Sequence, residues 1–269
     1  EGSDEIFGGY GRIFRSAYDY ERVQNGGLAN PDFAQAIQQK YKTIDLGSEL
    51  DHFMNLYQYI DYDTKKQFFS AEFLDKLPTQ IPFQKIWETN FAKLEGLPLT
   101  EKMMWMFEKI HIVGLLQRVD VTTMATGVEA RVPFVDHKFL EFVMSIPLKY
   151  RLKWKNQEGA KQLISDKISE EYDIPKYLLK KAFEKDLPND VVWRKKMGFP
   201  VPIHAWFGQD FNKIAHDLLL DDTARQRGLY NTSFLEKALK DEKLFTQHAF
   251  GLKIWMLVNL ELWLRKYFK

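Results

Sequence analysis

The chain has 269 residues, 45% of them hydrophobic and 28% charged, enough for one large or two small folded domains with a real core. With 38 basic against 37 acidic residues the net charge is +1, so no overall field favours nucleic acid or a membrane as a partner, and any positive site must be local. There is no cysteine, which excludes disulfides, a thiolate nucleophile and Cys-ligated zinc and fits a cytoplasmic protein.

Helical periodicity runs through almost the whole chain and alternating strand patterns are nearly absent, so the fold class is mainly α. The spacing predicts helices over residues 4–20, 31–41, 49–59, 82–94, 100–116, 137–145, 160–171, 175–185 and 188–195. Three more follow at 209–220, 233–240 and 244–267. Proline near several starts fits the first helical turn, and Ser233 with Glu236 has the spacing of a capping box. Gly26-Gly27 and Gly96-Leu97-Pro98 mark loops, without the composition shift of a domain linker. The longest apolar stretch, residues 254–264, is interrupted by Asn259 and Glu261 and is too short to span a bilayer. No signal peptide or internal repeat is visible, and the six histidines (His52, His111, His137, His204, His216, His248) lack metal-site spacing. The chain opens on Glu1 rather than Met, which predicts further sequence upstream.

Three stretches carry chemistry. The first is Glu1-Gly2-Ser3-Asp4-Glu5-Ile6-Phe7-Gly8-Gly9-Tyr10, with three carboxylates and three glycines. Small residues running into a helix leave free N–H groups that favour an anion. Carboxylates beside a phosphate need a cation between them, which makes Asp4 a candidate Mg²⁺ ligand and Glu1 or Glu5 a candidate proton acceptor. An acidic helix cap followed by a glycine turn would read the same way. The second stretch, residues 115–137, sets Arg118, Asp120, Glu129, Arg131 and Asp136 in small and apolar surroundings. Charges in such a run are expected to be partly buried and paired, Arg118 with Asp120 and Arg131 with Glu129 or Asp136, as a structural network. Thr122 and Thr123 are placed to cap or to line a cleft. The third stretch groups Lys176, Lys180, Lys181, Lys185, Arg194, Lys195 and Lys196 before Gly198-Phe199-Pro200. Lys176 and Lys180 stand at i, i+4 on one predicted helix face, opposite Leu178, Leu179 and Phe183. A solvated face explains some of these lysines, whereas Lys196 precedes a turn able to fix an ammonium in a partly desolvated place.

In this order the three stretches resemble the C-terminal part of the synthetase domain of glutamine-dependent asparagine synthetases. The family blocks stand here as Glu1 to Tyr10, Met124 to Asp136, and Arg194 to Pro202 with Trp206. The resemblance implies the helical C-terminal part of an α/β PP-loop ATP pyrophosphatase (adenine nucleotide α-hydrolase-like) domain across residues 1–269. It implies a ligase of asparagine biosynthesis, using ATP and Mg²⁺. The aspartate side-chain carboxylate is adenylated to β-aspartyl-AMP, and ammonia derived from glutamine displaces AMP. Residue by residue, it implies Glu1 and Lys196 as catalytic groups, Ser3 and Lys176 as ATP or pyrophosphate contacts, and Asp4 as the metal ligand.

The family's Ser-Gly-Gly-x-Asp-Ser pyrophosphate loop and its N-terminal glutaminase domain are absent from these 269 residues. Both are expected upstream, and the chain by itself is expected not to bind ATP productively. Partners implied are aspartate, ATP, ammonia, the glutaminase domain and a second copy in a homodimer; nucleic acid and membrane are not. Val121 stands where relatives often have Arg, Thr123 where they often have Ser, and residues 156–173 look longer than usual, all of which bear on the substrate and the edge of the cleft. A related amidotransferase or β-lactam synthetase acting on another carboxylate, and a non-catalytic helical module built on the aromatic C-terminal helix, are the alternatives.

Overall fold

The computed structural model describes residues 1–58, 60, 62–77, 82–198, 205, 211–241, 244 and 248–268. The chain forms two compact units, Glu1–Tyr57 with Phe83–Met197, and Gln58–Pro82 with Gly198–Lys269. As the periodicity predicts, the described residues are mostly helical. Among them no helix is long and apolar enough to cross a membrane.

In the first unit the predicted helix over residues 4–20 is broken into Ser3–Ile6, Gly11–Phe14 and Ser16–Gln24. Gly8 explains the break. Its φ of +73° is the left-handed region that reverses the chain at little cost only in glycine. The Pro31–Tyr41 helix follows its sequence signals: the Asn30 side chain accepts from the Phe33 amide, Pro31 fills the first turn, and Phe33 and Ile37 are buried one turn apart. The predicted helix over 100–116 runs on to Met124, as Leu99–Met106, a π-helical turn at Phe107–His111, and Ile112–Met124.

The predicted helix over 160–171 is a correction. Only Glu158–Ala160 and Ser165–Ile168 are helical there, and the chain then enters a strand. That strand, β2 (Asp173–Pro175), pairs antiparallel with β1 (Leu152–Trp154), in the register Leu152 with Pro175 and Trp154 with Asp173. Strands of three residues are too short to show alternation. What holds the hairpin is Arg15, whose Nε donates to Asp173 Oδ2 (2.7 Å) and whose Nη2 donates to the Leu152 carbonyl (3.0 Å). The same guanidinium lies 3.6 Å over the Trp154 ring.

The main core of this unit joins Phe14, Phe53, Trp87, Met103, Met104, Met106 and Phe107. Each large apolar side chain buried this way contributes about 1.5–3 kcal/mol. A smaller cluster, Ile6, Phe7 and Val143 with Phe134, Phe139, Leu178 and Leu179, seats the first helix.

The second unit builds its core from Phe68, Leu219, Tyr230, Leu235, Ile254, Leu257 and Val258. Its last helix, His248–Tyr267, turns Ile254, Leu257 and Val258 inward and leaves Trp263 and Tyr267 exposed, as is Phe268 just after it. The predicted capping box is also corrected: Asn231 caps the Thr232–Ala238 helix by accepting from the Phe234 amide. Ser233 only donates to Asn231, and Glu236 pairs with Arg225 instead. Predicted features at Phe199 to Pro202, His204 and Trp206 lie outside the described residues.

Candidate active site

The Ser3–Ile6 turn, the glycine turn after it and two lysines from the far end of the unit meet at Asp4. Lys196 Nζ donates to Asp4 Oδ1 (2.6 Å), while Lys176 Nζ stands 3.0 Å from Asp4 Oδ2 and donates to Ser3 Oγ at 3.0 Å. The turn closes through the Gly9 amide, which donates to the Asp4 carbonyl at 2.7 Å. Gly9 has no room for a side chain, since a Cβ there would run into Asp4 Oδ1 and Lys176 Cε. The Gly-Gly pair therefore has a spatial reason: it lets the carboxylate and the ammonium close over the backbone.

Two devices aim the lysines. Lys176 follows β2 with φ at +56°, a left-handed conformation that a residue with a Cβ adopts only at a cost. Its amide donates to the Phe7 carbonyl (2.9 Å) and its carbonyl accepts from the Lys180 amide, so it ends the strand and opens the Tyr177–Phe183 helix. The shared face predicted for Lys176 and Lys180 is thereby corrected, because Lys176 lies outside the helix and points to Asp4. Lys196 also donates to the Gly9 carbonyl (3.3 Å) and lies 4.3 Å over the Tyr10 ring. That ring is held by its hydroxyl, which donates to Glu5 (3.0 Å), and by Phe14, Phe107 and His111 at centroid distances of 5.2–6.1 Å.

Electrostatics separates the carboxylates. Partial burial pushes the Asp4 carboxyl up, but the two ammonium groups outweigh it by charge and hydrogen bond and hold it below its ordinary value. Glu5 is fully buried and accepts from Tyr10 instead. Burial raises its carboxyl, with the charges of Asp4 and Glu1 adding, and the hydrogen bonds from its own amide and from Tyr10 offset this only in part. Burial likewise lowers the His111 imidazole, assisted by Arg118 and opposed by Glu1.

Magnesium sites that serve phosphates use one or two protein carboxylates and take other oxygens from phosphate and water. Asp4, partly exposed and with the Ser3 hydroxyl beside it, fits a single-carboxylate site of that kind. Among the described residues no group of three or more His, Cys, Asp or Glu could hold a metal unaided. Both Asp4 oxygens face ammonium groups, so a cation here has to arrive with phosphate oxygens that take over the lysines.

Ser3, Asp4, Lys176 and Lys196 are thus brought together from positions up to 193 residues apart. Glu1 is exposed at the edge of this group and acts on Glu5, Tyr10 and His111 through its charge. The supporting ring of Tyr10, Phe107 and His111 was not legible in the sequence, because a π turn has no signature in a 3.6-residue period. Beside the Lys176 helix lies a groove of about 560 Å³ lined by Phe7, Phe134, Phe139, Phe142, Leu178 and Phe183, among others, to which none of the charged site residues contributes.

The predicted buried network over 115–137 is corrected. Arg118 and Asp120 are two apart on one helix and cannot face each other. Arg131 does pair with Glu129 (2.8 Å), but the two side chains are 83% and 66% exposed. Asp136 caps the His137–Met144 helix. Thr122 and Thr123 donate back to carbonyls of their own helix and cap nothing. Val121, Met124 and Val128 in this run are exposed, and so are Arg118, Asp120, Glu129, Arg131 and Asp136.

Asparagine synthetase [glutamine-hydrolyzing] 1 of Bacillus subtilis (strain 168) is 26% identical over 278 residues, covering 97% of this chain and 40% of that protein. The asparagine synthetases [glutamine-hydrolyzing] of Gallus gallus and Homo sapiens are 30% and 28% identical over 159 residues, covering 56% of this chain and 25% of theirs. The chain therefore spans well under half the length of these relatives. No solved structure matches it. The family model for asparagine synthase matches residues 1–265, and the chain belongs to that family.

Proposed function

We propose that this chain supplies part of the synthetase site of an enzyme that makes asparagine from aspartate and ATP, with ammonia derived from glutamine by a glutaminase domain, in the cytoplasm. In the first half-reaction an oxygen of the aspartate side-chain carboxylate bonds to the α-phosphorus of ATP and the bond to pyrophosphate breaks, leaving β-aspartyl-AMP. In the second, ammonia attacks the acyl carbon, AMP leaves, and a proton must be taken from the nitrogen. Lys196 is the group that stabilises negative charge growing on the phosphoryl oxygens. Lys176 and Ser3 hold the departing pyrophosphate, and Glu1 accepts the amine proton. Mg²⁺, held by Asp4 with phosphate oxygens, would neutralise pyrophosphate charge.

One observation carries this reading. Two ammonium groups from the far end of the unit converge on a single partly exposed carboxylate near its start, at 2.6 and 3.0 Å, and one of them also donates to the neighbouring Ser3 hydroxyl at 3.0 Å. A structural ion pair needs neither the strained backbone at Lys176 nor the absent side chain at Gly9. The test is pyrophosphate release from ATP and Mg²⁺ by the complete protein, with aspartate and then with other small carboxylates. Aspartate-dependent release that falls at least about a hundredfold in Lys196→Ala is expected. Release with a different carboxylate would replace the substrate, as in a β-lactam synthetase-like enzyme, and none with any carboxylate would end the reading.

A further inference from the structure

Lys196 lies in residues 195–198, which have no regular secondary structure, so something other than a helix or strand has to hold its main chain. Its amide donates to both carboxylate oxygens of Glu170, at 3.2 and 3.1 Å. Glu170 is itself fixed at three points. Its φ of +69° is a left-handed conformation that a side chain makes costly. Its amide donates to Asp173 Oδ1 (2.6 Å), and its carbonyl accepts from Lys155 Nζ (2.7 Å). Asp173 is fully buried and bonded to Arg15 at 2.7 Å, inside the β1–β2 anchor. A continuous chain of polar contacts therefore runs from buried Arg15 through Asp173 and Glu170 to the main chain of Lys196.

We infer that Glu170 is a positioning residue whose carboxylate fixes the Lys196 main chain so that the ammonium reaches Asp4; this rests on the role proposed above for Lys196. Lys176 leaves one end of β2 and Glu170 stands just before the other, so one short strand sets the placement of both lysines. A carboxylate suits the task because its hydrogen bonds to N–H groups are charge-assisted, and its two oxygens can share one amide. The same placement is incompatible with the helix predicted over residues 160–171. The last turn of a helix would not present residue 170 in the left-handed region, facing residue 196.

The experiment pairs two variants with two measurements. Glu170→Ala removes the acceptor, and Glu170→Gln keeps one acceptor oxygen without the charge. In pyrophosphate release by the complete protein, Glu170→Ala is expected to lower kcat by about ten- to a hundredfold with the KM for ATP nearly unchanged. Glu170→Gln is expected to recover most of the loss. In NMR exchange measurements on the chain, the Lys196 amide should exchange faster in Glu170→Ala than in the wild type and Glu170→Gln. An unchanged Lys196 exchange rate in Glu170→Ala overturns the inference, and so does unchanged turnover with faster exchange. Should the wild-type protein release no pyrophosphate at all, the proposed function falls, and the exchange rates alone decide whether Glu170 holds Lys196.

Discussion

Glu261 in the second unit and Asp4 in the first are each flanked by two cationic side chains, but the surroundings differ in burial, donor and distance along the chain. Glu261 is fully buried. It accepts from Tyr230 Oη (2.9 Å) and from Arg265 Nε one helical turn away (2.9 Å), and Arg227 Nε stands 3.5 Å off. Arg265 continues to Asp221 and to the Leu218 carbonyl. Asp4 keeps 26% of its side chain exposed and is met by lysines that stand 172 and 192 residues later in the sequence. Arginine offers a rigid fork that holds one geometry, whereas lysine is a compact charge that can change partners. The first arrangement suits a fixed core and the second a site that exchanges ligands.

The largest expected effect breaks the first arrangement. Glu261→Ala removes the buried charge that faces Arg227, one of the acceptors of Arg265 and the acceptor of the buried Tyr230 hydroxyl, which should cost the second unit about 3–5 kcal/mol. Urea unfolding followed by amide exchange within residues 211–241 would show it, and a wild-type midpoint there would refute this account of Glu261.

A third carboxylate sharpens the contrast. Glu108, in the π-helical turn, has a buried Oε2 without a hydrogen-bond partner, and burial, only partly offset by Arg151 and Lys109, pushes its carboxyl up to about 7. Between its ordinary 4.5 and about 7 the folded chain then binds more protons than the unfolded one, so this group's contribution to stability is lost as pH rises through that window. Glu108→Gln should stabilise the fold near pH 8 by an amount on the order of 2 kcal/mol, the full shift being discounted for partial solvent screening, and change little near pH 5, as read from melting curves at the two values. A gain of equal size at both values would mean that packing, not ionisation, is responsible.

Asp4→Asn should have the smallest effect on stability, within about 1 kcal/mol, because partly exposed ion pairs contribute little. Its lowered carboxyl supports the fold above its ordinary value, and that support is lost as pH falls through the lowered one. A shift of more than about 4 °C in the neutral-pH melting curve would make Asp4 a structural residue like Glu261.

The sequence reveals the parts of this molecule that depend on local chemistry. Capping by Asn30, the Pro31 start and the loops at Gly26 and Gly96 follow from residues within one turn of each other. The candidate site residues were picked out through resemblance to family blocks, since nothing local in Lys176 or Lys196 says that both reach Asp4. What escaped was set by tertiary contacts. The 160–171 stretch has the spacing of a helix, yet it ends in a turn that leads into the strand anchored by the buried Arg15–Asp173 pair. The capping box at Ser233 lost to Asn231, which stood two residues earlier with an equally good acceptor. Glu170 meets Lys196, and Tyr10 meets Phe107 and His111, across distances in the sequence that no local pattern reports.

The left-handed backbone at Lys176 sets durability against chemistry. Glycine would relax that conformation, and asparagine tolerates it better than lysine does, by up to about 1 kcal/mol. Either would delete an ammonium from the group around Asp4. A mutant library sorted for heat resistance alone should therefore drift away from lysine at codon 176, while one sorted for turnover should keep it.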